Sequence, residues 1–194
     1  MRKVILLLLM VFCMSIPDIQ AAVRVSIDKL RYEIDLKAHT ATVTGLATGL
    51  AEEIYDLVIP DFIDFNNEQI PITAIDKVAF GGSTRLKGNL TIGDNVTTIG
   101  DLAFRGCSGF TGSLTIPDNV TTIGMGAFLG CSGFTGSLTI PDNVTTIGLY
   151  AFSSCSGIES VTCYAIQPPE NKSGGAFSYE TYKKRLKPYC RCIC

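Results

Sequence analysis

Cys107, Cys131 and Cys155 recur at a fixed interval of 24 residues, and a periodic row of thiols raises the question of pairing. On stacked segments of chain, neighbouring members would lie within Cα reach of a disulfide. Equivalent positions on successive segments point the same way rather than towards each other, however, and three thiols cannot all pair. Buried free thiols acting as small apolar fillers are the expectation. A thiol or hydroxyl nucleophile would need a base, and His39 is the chain's single histidine. It falls in an apparent hairpin turn, to which a Cys-His or Ser-His-Asp set would have to bring a second residue. A solvated turn residue is the simpler reading. No phosphate-binding G-x-x-x-x-G-K-[ST] or dinucleotide G-x-G-x-x-G run stands between a strand and a helix. No catalytic residue and no cofactor is therefore expected.

Asp94, Asp118 and Asp142, each followed by asparagine, form a second row at the same interval. Hard cations take such carboxylate and amide oxygens, so a calcium ladder is conceivable. Asp-Asn is also ordinary tight-turn chemistry, and that reading is preferred, with no metal expected. Asn95, Asn119 and Asn143 each begin an Asn-Val-Thr sequon, which matters only in a eukaryotic secretory pathway. At the end of the chain Cys190, Cys192 and Cys194 alternate with other residues. Zinc ligands normally stand two to four residues apart and no histidine is near, so a disordered basic tail is expected instead.

What positions these rows is a repeat. The 19 residues GCSGFTGSLTIPDNVTTIG occur from Gly106 to Gly124 and again, letter for letter, from Gly130 to Gly148. Leu-Thr-Ile triplets begin at Leu90, Leu114 and Leu138, Val-Thr-Thr-Ile-Gly runs at Val96, Val120 and Val144, and Ala-Phe pairs end at Phe104, Phe128 and Phe152. A divergent unit lies upstream, with LVIP at Leu57, Phe80 and Ser83 in the cysteine position, and with extra residues within DFIDFNNEQIP. A shorter unit, GIESVTCYA, lies downstream. One such unit cannot bury its own apolar face, whereas stacking equivalent units builds a continuous core. Leu114 and Ile116 alternate with Ser113, Thr115 and Pro117, the period of a half-buried strand. These triplets are predicted to form a parallel sheet spaced about 4.8 Å per coil. Val120 and Ile123 should point inside, and Ala127-Phe128 should fill the far side.

The pattern L-T-I-P-x-x-V-T-x-I-G-x-x-A-F-x-x-C, over Leu57 to Phe177, resembles the BspA-like leucine-rich repeat of bacterial surface proteins. The resemblance implies a mostly-β solenoid of about five coils with short turns and helical segments. It also implies export from a bacterium and, for some members, adhesion. IDKLRYEIDLKAHTATVTGL is similar to the family's lead-in, and the alternation of Tyr32, Ile34 and Leu36 followed by Ala41 and Val43 predicts a β-hairpin cap.

Composition agrees with a secreted location. The start has the charged, apolar and small-residue parts of a signal peptide, from Arg2-Lys3 to Ala21-Ala22. The expected organisation is a signal peptide over 1–22, a cap and lead-in over 23–56, repeats over 57–180 and a tail over 181–194. Val23 to Tyr182 carries 17 acidic and 9 basic residues, a net of −8, which disfavours nucleic acid and anionic membranes. No later stretch is apolar enough to span a bilayer.

The surface best suited to function is then the outward side of the strands, Asn89, Thr91, Ser113, Thr115, Ser137 and Thr139. Its side chains are short and polar, without the aromatic or arginine anchors of tight interfaces. The expectation is modest, avidity-aided binding of a protein or glycan at a cell surface or in host matrix. A passive spacer is the competing reading, and an enzyme a distant third. The tail, Lys183 onwards, departs from the family pattern as truncation or a shifted frame would make it. It should leave the last coil uncapped and the chain self-associating through that end.

Overall fold

A computed structural model describes residues 22–50, 52–164 and 175–176. The expected leader (all but Ala22) and the tail over 181–194 lie outside the described residues.

Strands β1 (Ala22–Ile27), β2 (Leu30–Asp35) and β3 (Thr40–Leu46) form an antiparallel meander. Tyr32 faces Val43 and Ile34 faces Ala41, all four buried, so the hairpin forms where the alternation puts it. Leu36 does not continue that alternation and is 48% exposed. The strand ends one residue earlier, because the Asp35 carboxylate accepts the N–H groups of Lys37 and Ala38 and bends the chain.

β4 (Ile54–Ile59) opens the divergent unit, and β5 (Phe62–Phe65) and β6 (Glu68–Ile75) follow. The extra residues are thus a hairpin, β5 on β6, turned by Asn66 and Asn67 at φ 51° and 65°. Positive φ at both central residues is what a tight hairpin needs and what asparagine tolerates. The remaining strands are β7 (Leu86–Ile92), β8 (Thr98–Ile99), β9 (Thr122–Ile123), β10 (Gly136–Ile140), β11 (Thr146–Ile147) and β12 (Ile158–Cys163).

The longest ladder is not the predicted one. The order β1-β2-β3-β6-β8-β9-β11 runs through the Thr-Ile pairs, with Thr98, Thr122 and Thr146 in register. The Leu-Thr-Ile side is interrupted: β4 pairs β7, β10 pairs β12, both parallel, and single bridges Gly88–Phe110 and Thr115–Thr139 link the middle. Leu114–Ile116 and Leu138–Ile140 are the same residues, so their neighbours, not their local sequence, decide which pairs fully.

Among the described residues there is no helix, which corrects the expected helical segments. The Ala-Phe segments are turns whose N–H groups are shared between coils. Ala103 and Arg105 donate back to Gly100 and Leu102 within the turn, while Leu102, Phe104 and Gly106 donate to Met125, Ala127 and Leu129 of the next coil. With alternate donors spent between coils, an i→i−4 ladder cannot form.

The core follows the 24-residue interval. Val120, Ile123, Ala127, Phe128 and Cys131 are fully buried, as are their counterparts one unit earlier. Phe80, Phe104, Phe128 and Phe152 stack at centroid spacings of 5.1, 5.2 and 5.5 Å. A second stack, Phe110 on Phe134 at 5.5 Å, meets the first edge-on.

Candidate functional site

Burial of Leu90, Ile92, Leu114, Ile116, Leu138 and Ile140 turns the residues between and before them outwards. Asn89, Thr91, Ser113, Thr115, Ser137 and Thr139 are all exposed. Strand pairing sets several of them beside residues of a neighbouring coil, in two groups. In one, Val58 faces Thr91, Thr115 bridges Thr139, and Thr139 faces Thr162. In the other, Ser137 Oγ lies 2.7 Å from Ser160 Oγ, and Asn89 donates its amide and side-chain N–H groups to Asp56 Oδ1 at 2.8 and 3.0 Å. The surface therefore combines hydroxyls and methyls at the coil spacing, with little charge in its middle.

The rows extend further than the six residues singled out from the sequence. At the N-terminal edge β4 adds Tyr55, 64% exposed, and Val58, 54% exposed. The surface has an aromatic side chain after all, placed at one end. Carrying the LTIP pattern one unit upstream to LVIP identifies Val58 as the counterpart of Thr91.

The other threonine row serves the scaffold. Thr97, Thr121 and Thr145 each donate Oγ1–H to the backbone carbonyl of Thr73, Thr97 and Thr121, at 3.1 to 3.2 Å. The asparagines of the outer turn do the same: Asn119 Nδ2 donates to Asp94 O at 2.8 Å and Asn143 Nδ2 to Asp118 O at 2.9 Å. Among the described residues no group of three or more His, Cys, Asp or Glu side chains is placed to hold a metal.

Cys107, Cys131 and Cys155 are buried and free. Each thiol donates to a phenylalanine carbonyl of the preceding coil, Cys131 to Phe104 O at 3.0 Å. Burial pushes the Cys107 and Cys155 thiols up to about 12 and that of Cys131 up as well, away from the reactive thiolate. Cys163, at the end of β12, is disulfide-bonded. His39 is an exposed turn residue at φ 56°, with Nε2 3.9 Å from Glu68 Oε2. A concavity of about 490 Å³ on the outer side of the cap is lined by Ala22, Glu33, Asp35, Thr42, Thr44 and Asp76, and His39 does not line it.

A family model described as the BspA type leucine rich repeat region matches residues 62–182 in six copies. A leucine-rich repeat protein of Bacteroides capillosus ATCC 29799 has a similar solved structure, with a TM-score of 0.60 and 27% identity over 72% of this chain and 97% of that one. A second, from Bacteroides ovatus ATCC 8483, gives a TM-score of 0.50 and 27% identity over 71% of this chain and 40% of its own length. No curated protein matches the chain.

Proposed function

The chain belongs to the BspA-type leucine-rich-repeat family, and from that premise we propose that it is an exported, surface-associated binding module. Its repeats form a solenoid whose exposed strand rows contact a protein or glycan of a cell surface or host matrix. The observation that supports this reading most is the pairing of Val58 with Thr91 and of Thr115 with Thr139, all four exposed, with Thr139 also facing the half-buried Thr162. Side chains that only filled space between coils would not need to stay short, neutral and outward across successive units. A repeated surface gives weak contacts that add up over an extended partner.

The short side chains also define the competing reading, a spacer without a ligand. The test is a screen of the purified chain, immobilised at high density, against matrix proteins and glycans. Retention of at least one class, lost when the chain is spread thinly, supports the binding module. Uniform failure at both densities supports the spacer.

A further inference from the structure

The first unit leaves one strand edge open, and acidic and apolar side chains gather around it. Among the described residues β4 pairs β7 alone, so no strand lies along its other edge. The cap does not pair with it, since β3 joins β6 in the other sheet. Ile54 N–H donates to Arg85 O, on the β7 side, at 2.9 Å. Successive N–H groups of a strand point to opposite edges, so that of Tyr55 faces the open side. β7 pairs with β4 on both sides of the irregularity at Asp56, so that irregularity does not bar a strand from the other edge. An open edge is a template for another strand.

The surrounding side chains say what kind of strand fits. Residues 52–68 include Glu52, Glu53, Asp56, Asp61, Asp64 and Glu68, and no Lys or Arg. All six are exposed. Glu53 lies 4.0 Å from Lys87 Nζ and Glu68 3.9 Å from His39 Nε2, while the other four have no cation within 4.0 Å among the described residues. Asp56 and Asp61 accept hydrogen bonds from Asn89 and from Asp94 and Asn95, which hold these two charges in place. Tyr55, Val58 and Phe62, three of the eight large apolar side chains exposed among the described residues, fall in the same stretch. Fixed, uncompensated carboxylates repel one another, and a partner's cations relieve that repulsion.

We infer that an extended segment of a partner protein, with lysine or arginine at every second position, adds in parallel to the open edge of β4. Its cations lie on the outer side with Tyr55 and Val58, where Glu52, Glu53 and Asp56 attract them and the Tyr55 ring offers its face. The residues between them are small or apolar and lie on the side of Ile54, Leu57 and Ile59, which are buried. Backbone hydrogen bonds to the edge supply affinity, and the alternate side chains supply selectivity. This site stands at one end of the stack and does not rest on the reading of the threonine surface.

The test uses the purified chain and a labelled synthetic peptide of alternating lysine and valine, read by fluorescence anisotropy at low salt. Saturable binding is expected, and a peptide of alternating glutamate and valine should not bind. Glu52→Lys with Glu53→Lys, at an unchanged urea midpoint, should weaken the lysine peptide at least about tenfold. A strand added to one edge uses only alternate N–H groups of its own backbone. Methylation of the backbone nitrogens of one alternating set, the lysines or the valines, should therefore abolish binding, and methylation of the other set should leave it intact. Absence of saturable binding, equal binding by the charge-reversed variant, or two methylated peptides that bind alike would each overturn the inference.

Discussion

The rings of Phe104 and Phe128, 24 residues apart, lie 5.2 Å centroid to centroid and within 7° of parallel. That pair is the repeat expressed as packing, one side chain resting on its own counterpart. Phe128 also meets Phe134 edge-on at 6.4 Å and is wholly buried. Phe128→Ala should therefore cost about 3–5 kcal/mol in urea unfolding, the usual range for a buried phenylalanine. An unchanged midpoint would place the ring outside the core.

Asn119 behaves as more than a surface turn residue. Its amide ties one coil to the carbonyl of Asp94 in the previous one. Asn119→Ala should cost about 1–1.5 kcal/mol, at the upper end for a single hydrogen bond. Asn119→Asp keeps the shape and removes the donor, so it should cost at least as much. If both variants unfold with the wild-type midpoint, the asparagine ladder contributes nothing to stacking.

The thiol row predicts an alkaline weakness. Burial raises the Cys107 and Cys155 pKa values from 9.0 to about 12 and also raises that of Cys131, and burial followed by the nearby Asp28 charge raises Tyr32 from 10.0 to about 12. The folded chain thus holds these protons more tightly than the unfolded one. Their contribution is complete below pH 9 and is lost as pH rises towards 12. Urea midpoints should fall over that window, and Cys131→Ser, which keeps a donor but does not titrate there, should flatten the fall. The same thiols should resist a thiol reagent at pH 8 until the chain is unfolded.

Two backbone positions should respond in opposite directions. An added Cβ on Gly148 would lie 2.5 Å from the carbonyl carbon of Gly124, with the Met125 backbone as close. Gly148→Ala should destabilise by more than about 2 kcal/mol, because backbone cannot move aside as a side chain can. Val78 is half exposed at φ 57°, where the unit two repeats later has Gly126 at φ 58°. A β-branched residue is strained there, so Val78→Gly should gain up to about 1 kcal/mol in spite of its added freedom when unfolded. Loss of stability in Val78→Gly would mean that its side-chain contacts outweigh the strain.

Much of this arrangement was legible because the chain repeats itself. Cys107, Phe104 and Leu114 could be assigned to the interior from their interval and alternation alone. The interval does not say which segment of each unit pairs most continuously. The Leu-Thr-Ile triplets look more like strands than two-residue Thr-Ile steps, yet the longer ladder runs through the latter, joined to the cap by β3 and β6. Strand pairing depends on the neighbouring coil, which a single unit's sequence does not contain. The second aromatic stack of Phe110 and Phe134 was visible in the duplicated block but carries no alternation to mark it. Tyr55 and Val58 were hidden by the divergence of the first unit, where LVIP stands for LTIP.

The central claim is that the exposed strand rows bind. Thr91→Lys, Thr115→Lys and Thr139→Lys, combined in one chain, add three long cations to the row without entering the core. With urea unfolding unchanged, binding of this variant to the protein or glycan retained in the screen should fall at least about tenfold, a loss of 1.4 kcal/mol spread over three contacts. Retention equal to wild type, in a variant with an unchanged unfolding midpoint, would contradict the claim and place the contact elsewhere on the molecule.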